Sequence, residues 1–160
     1  MSRQIASQRQ RYPDKQGITH TSYALYYHLV WDTVKKHPLI NAALQSFLRD
    51  FIMHKCQELG IHVLAVGINP DHVHLLFSLK PTHYIPDIVQ ALKGGSAYAA
   101  NHASPTLGVL YWKRGYSIRT VSERNLDIAK AYVNNQAKHH GYEIGAPEKR
   151  VQEDGMAYEF

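Results

Sequence analysis

Residues 61–79 read IHVLAVGINPDHVHLLFSL, two runs of branched and apolar residues divided by Asn69-Pro70-Asp71. No other stretch limits the fold as much. Each run has strand composition and the tripeptide between them has turn chemistry. A link this short joins two strands only in antiparallel order. The chain is therefore expected to hold a hairpin, 61–68 against 72–79, inside a sheet with a buried side. Period two then sorts the second arm: Val73, Leu75, Phe77 and Leu79 on one face, His72, His74, Leu76 and Ser78 on the other. Two imidazoles project side by side near the start of a strand, where both can reach one ion. Surface histidines would have the same geometry. With 11 His in 160 residues, chance alone supplies roughly 0.7 His-x-His pairs, so the spacing carries little by itself.

The remaining elements follow from pattern. Residues 22–31 (SYALYYHLVW) have strand composition. Leu44, Phe47, Leu48, Phe51, Ile52, Cys56 and Leu59 recur at helical spacing, and Gly60 ends that helix. A second helix is predicted over 84–101, with Pro86 in its first turn and Gly94-Gly95 weakening its middle. A fourth strand is predicted over 109–121, broken near Gly115, and a last helix over 125–140, ended by Gly141. On that helix Ile128, Tyr132, Gln136 and His140 stack along one stripe. The order β-α-β-β-α-β plus a helix predicts an α+β, ferredoxin-like split β-α-β fold: an antiparallel sheet with helices on one face and a C-terminal helix. Many functions use this fold, so it decides none. One domain is expected over 22–145, after a flexible basic arm (1–21) and before a loose tail (146–160).

Composition excludes several classes. With 44% hydrophobic and 19% charged residues the chain is not a disordered one. No apolar run has membrane-spanning length and the first residues lack a signal-peptide core, so the expected location is cytoplasmic and no membrane partner is expected. Cys56 is the sole cysteine, which excludes an internal disulfide and a cysteine-based zinc site; it is expected to pack in a helix core. Lys and Arg exceed Asp and Glu by 18 − 13 = 5, and the pI is about 9.3. That excess suits a polyanion, as 11 tyrosines suit stacking on unpaired bases, but basic proteins without such partners are equally common. None of the glycine-rich phosphate loops occurs, so no nucleotide cofactor is expected.

The blocks YHLVW, NPDHVHLLFSL, IPDIVQALKGGSA, YWKRGYSIRTV and AYVNNQAKHH occur in this order over residues 22–142. Together they resemble the small HUH-type tyrosine transposases of the IS200/IS605 group. Where members commonly read HLVWTTKYR, this chain reads HLVWDTVKKH, so the loop after the first strand departs from the pattern. The resemblance implies metal ligands at His72, His74 and Gln136 and a nucleophile at Tyr132, on a catalytic last helix. It implies a divalent cofactor, Mg²⁺ or Mn²⁺, a substrate of single-stranded DNA with hairpin-forming element ends, and a homodimer in which one subunit's tyrosine helix can complete its partner's site.

These residue types suit the chemistry. A tyrosine can hold a cut strand as a phosphotyrosine, keeping the bond energy so that no ATP is needed. Two imidazoles and an amide leave an ion's charge uncancelled for a phosphate. Without the motif, Tyr132 reads as a core aromatic, and Asp71 reads better as a turn former than as a partner of the histidines. Lys93, Lys113, Arg114 and Arg119 are candidate phosphate contacts, although a solvated charged face is the commoner fate of any one. The competing readings are a REP-associated tyrosine transposase acting on repeated palindromes and a non-catalytic single-strand-binding module on the same fold.

Overall fold

A computed structural model describes residues 22–135. The predicted basic arm, the tail and the last turns of the final helix, with Gln136 and His140, lie outside the described residues.

Four antiparallel strands form one sheet: β1 (Tyr26–Asp32), β2 (His62–Ile68), β3 (His72–Ser78) and β4 (Ser117–Val121), in the order β2-β3-β1-β4. This is the predicted split β-α-β arrangement. Alternation along each strand gives the sheet two different sides. Tyr27, Leu29 and Trp31 of β1 join Val73, Leu75 and Phe77 of β3 in the larger core, under α1 (Ala42–Glu58) and α2 (Ile85–Ala103). The other side carries a smaller core of Tyr26, Ala65, Leu76 and Val121, covered by Leu126, Ala129 and Val133 of α3 (Leu126–Asn134). A bulge between Val63 and Ala65 keeps Ala65 opposite Leu76 on this second side.

Helix α1 begins at Asn41, whose side chain accepts from the Leu44 amide at 2.8 Å, and buries Leu44, Leu48, Ile52 and Cys56 at four-residue steps. Gly60 ends it at φ 68°, where other residues are strained. Cys56 is buried as expected, and burial pushes its thiol up to about 12.

Two predictions need correction. The first strand begins at Tyr26, not at Ser22; just before it, the Leu25 carbonyl accepts from the Leu79 amide at 2.9 Å. Helix α2 runs unbroken through Gly94 and Gly95; a Cβ on Gly95 would sit 3.0 Å from the Phe51 ring of α1, so this glycine lets the two helices approach. The fourth strand is only Ser117–Val121. Residues 109–116 form no strand, bending at Arg114 and taking a φ of 83° at Gly115, and several of their polar groups are bonded to side chains of α2. Asn101 bonds both the amide and the carbonyl of Leu110, at 2.7 and 2.9 Å. The Trp112 indole donates to Ser96 at 3.0 Å, and the Lys93 ammonium donates to the carbonyls of Lys113 (2.8 Å) and Gly115. A strand-like sequence is thus laced to a helix, meeting β1 and the residues after it through the Trp31–Trp112 ring pair, the Thr33–Trp112 bridge and nearby backbone bonds.

Candidate active site

The sheet side under α3 gathers the candidate residues. His72 and His74 point there from β3, and β1 contributes His28, buried at 4% exposure. His28 and His74 are diagonal neighbours, since His28 pairs with Leu76 and His74 with Val30. Their rings stack at 5.1 Å between centroids, and His28 Nε2 lies 2.9 Å from His74 Nδ1. The His72 ring meets His74 edge-on at 4.9 Å. Strand β2 places Gly67 opposite His74.

Helix α3 adds Tyr132. The buried residues Leu126, Ala129 and Val133 seat the helix, which turns Tyr132 toward the imidazoles, half-buried. Its ring stands edge-on to His74 at 5.8 Å and to His28 at 6.0 Å. The expected stripe of Ile128 with Tyr132 is therefore not the seated face: Ile128 is 60% exposed, and Tyr132 sits at the margin between core and cleft. In the single chain, Tyr132 lies beside its own histidines.

The neighbours of His72 settle the roles of both its ring nitrogens. His72 Nδ1 donates to the Asp71 carboxylate at 2.6 Å, and the Asn69 amide donates to His72 Nε2 at 3.2 Å. The lone pair of His72 therefore sits on Nε2, the atom a metal would take in place of the amide proton. Asp71 is thus more than a turn residue, and the His72 bond, before any charge effect, holds its carboxyl below the ordinary value. His28 is held down to about 4, first by burial and then by the Arg119 guanidinium, so it is neutral at physiological pH. Among the described residues no group of three His, Cys, Asp or Glu side chains is disposed to hold an ion. The donor set expected from sequence has only two such side chains, its third donor being Gln136, outside the described residues. Two imidazoles on one face, one with its Nε2 lone pair identified, fit a divalent ion with oxygen ligands in its remaining positions.

A cleft of about 430 Å³ opens over this group, lined among others by His74, Tyr132, Lys36, Lys113, Arg114 and Arg119. Three of the four predicted phosphate contacts thus meet the tyrosine and a histidine in one hollow. Lys93 lies apart, its ammonium engaged by carbonyls, and burial lowers its pKa. Sequence reasoning missed His28 and Lys36. His28 carried a signal, a polar residue inside an apolar strand, but its neighbour across the sheet depends on register. Lys36 sits in the aberrant loop after β1, where it and Lys35 adopt φ of 54° and 52°, a conformation unusual outside glycine. Tyr84, Tyr98, Tyr111 and Tyr116 are exposed.

The sequence pattern of the family described as transposase IS200 like matches residues 21–136. The chain belongs to the IS200-like transposase family. It is 36% identical over 119 residues to the ISDra2 transposase TnpA of Deinococcus radiodurans, covering 71% of this chain and 85% of that one. A crystal structure of a transposase from Deinococcus radiodurans R1 superposes with a TM-score of 0.57 at 35% identity, over 73% of this chain and 94% of that chain. A REP-associated tyrosine transposase bound to a REP hairpin superposes at 0.59 over 74% and 69% of the two chains; at 14% identity it shows the shared fold alone. The IS200-like match runs through every block from β1 to Gln136. Among the described residues no helix of this family member is long and apolar enough to cross a membrane.

Proposed function

We propose that this transposase cuts and rejoins single-stranded DNA at hairpin-bearing insertion-sequence ends through a 5′-phosphotyrosine at Tyr132. The observation that carries the reading is the placement of Tyr132 edge-on to His74 at the mouth of a cleft with four cationic side chains. The Tyr132 phenol oxygen attacks phosphorus and the 3′ oxygen departs. The phenol gives up a proton and the departing oxygen gains one, so one phosphodiester exchanges for another without a co-reactant. Lys113, Arg114, Arg119 and Lys36 draw the backbone in and orient it. His72, His74 and Gln136 would hold Mg²⁺ or Mn²⁺. Bound there, the ion would supply positive charge for a non-bridging phosphate oxygen.

The reading includes a homodimer, because among the described residues β2 and β4 are the edge strands of the sheet, each paired on one side. A helix exchanged between subunits would make the same α3 contacts in trans. Co-expressing His72→Ala/His74→Ala with Tyr132→Phe decides the placement: cleavage returns if helices are exchanged and stays absent if each site is built from one chain.

The test is a nicking assay on end-labelled single strands carrying the element's own ends or REP palindromes. Metal-dependent cleavage of element ends, with a covalent adduct on the 5′ phosphate, is expected. Cleavage confined to REP palindromes would favour the REP-associated reading; tight binding with no adduct would leave a binding module. The insertion-sequence reading is favoured by the 36% identity to an insertion-sequence transposase against 14% to the REP-associated one.

A further inference from the structure

His28 has no role in the site as assembled so far, yet it is buried against His74 with a ring nitrogen 2.9 Å from His74 Nδ1. Two imidazole nitrogens that close must share one proton, and which ring carries it decides what His74 can do. If His28 donates, a neutral His74 has its lone pair on Nδ1 and its proton on Nε2, and Nε2 cannot bind a cation. If His74 Nδ1 donates to His28, the lone pair moves to Nε2. The neighbouring histidine shows which pattern this hairpin builds. His72 donates from Nδ1 to Asp71 and carries its lone pair on Nε2. A matched pair of ligands needs the same tautomer at His74. The acceptor there is an imidazole rather than a carboxylate, so it sets the tautomer without adding negative charge beside the phosphate.

We propose that His28 is the positioning residue of His74: its Nε2 accepts from His74 Nδ1 and keeps His74 in the tautomer with an Nε2 lone pair. The inference rests on the metal centre of the proposed function. It assigns to β1 the task that Asp71 performs for His72, and it makes the cross-strand register of β1 and β3 part of the metal site. The stacking of the two rings and the edge of Tyr132 against both hold the acceptor in place.

Two measurements on the metal-free protein and its Mn²⁺ complex test this. The first is the tautomer of His74 in the wild-type protein, from ¹⁵N–¹H correlation spectra of the imidazoles; a proton on Nδ1 is expected, and a proton on Nε2 would overturn the proposal. The second is Mn²⁺ affinity, followed by loss of the free-ion electron paramagnetic resonance signal, for His28→Phe and His28→Gln. Phenylalanine keeps the stacked ring and removes the acceptor; glutamine places an amide oxygen near the position of Nε2. A loss of about 10- to 100-fold is expected in the phenylalanine variant and recovery of most of it with glutamine. Wild-type affinity in a folded His28→Phe also overturns the proposal. Should that variant not fold, the wild-type spectrum and the glutamine variant still decide. Failure of the wild-type protein to bind Mn²⁺ would remove the metal centre itself, a separate result seen before any variant is made.

Discussion

The ring of Tyr132 meets the ring of His74 at 86°, with 5.8 Å between centroids, inside one chain. The contact is made by ring edges and faces, so the phenol oxygen is dispensable to it.

Tyr132→Phe should therefore fold normally, with stability within about 1 kcal/mol of wild type. Its strand cleavage should fall by at least about a thousandfold, since no other group replaces a lost nucleophile. Denaturant melts and adduct trapping check both halves. A covalent DNA adduct in the phenylalanine protein would exclude Tyr132 as the attacking residue.

Arg119 and Lys113 line the cleft beside Tyr132. Replacing either by alanine should weaken single-strand binding and flatten its dependence on log salt by about 0.7, the release expected for one phosphate contact on a single strand. Binding isotherms from 50 to 300 mM salt provide the slope. An unchanged slope would place that side chain outside the DNA path.

Lys93 acts on the cleft from behind. Its ammonium bonds the carbonyls of Lys113 and Gly115, flanking Arg114. Lys93→Met should cost about 1–3 kcal/mol and raise amide exchange across residues 109–116, while α1 keeps its protection. Uniform exchange gain throughout the domain would show global loosening instead.

Gly94 and Gly95 should respond differently to alanine. Nothing lies within 4 Å of a Cβ at Gly94, so Gly94→Ala should stabilise by about 0.4–1 kcal/mol. At Gly95 the new atom meets the Phe51 ring, and the gain should vanish or reverse. Thermal midpoints of the two variants give the order; equal gains would mean that the α1–α2 contact yields freely.

The pH behaviour of Cys56 follows from its raised value of about 12 against an ordinary 9.0. Between those values the folded chain keeps a proton that the unfolded chain loses. Stability from this group is thus complete below pH 9 and declines as pH rises toward 12. At pH 8 the thiolate fraction is about 10⁻⁴, so iodoacetamide should label Cys56 only at the rate of unfolding. Fast labelling of the native protein at pH 8 would contradict the burial.

The fold was legible because its signals are local and redundant. The hairpin at Asn69-Pro70-Asp71, the α1 stripe ending at Gly60 and the alternation on β3 each depend on a few neighbouring residues. Residues 109–116 were misread as strand because strand composition says only that a segment is extended. Whether its backbone pairs with β1 or with Asn101, Ser96 and Lys93 is decided by side chains some 9 to 22 residues away. The site was half legible. His72, His74 and Tyr132 came from motif and parity, and the structure brings His74 and Tyr132 together. His28 escaped because its importance lies in the diagonal register between β1 and β3, which period two does not supply.

Trp31 and Trp112, the chain's two tryptophans, lie 5.9 Å apart in a T-shaped pair, one in the sheet core at the cleft wall and the other hung from Ser96 on α2. Every photon the protein emits on indole excitation therefore originates at the junction between β1 and the segment that bears Lys113 and Arg114. Rings this close also couple electronically, giving a near-ultraviolet circular dichroism band sensitive to their mutual angle. The molecule carries its own unlabelled optical gauge at that junction, blind to the rest of the fold, against which any occupant of the cleft can be titrated.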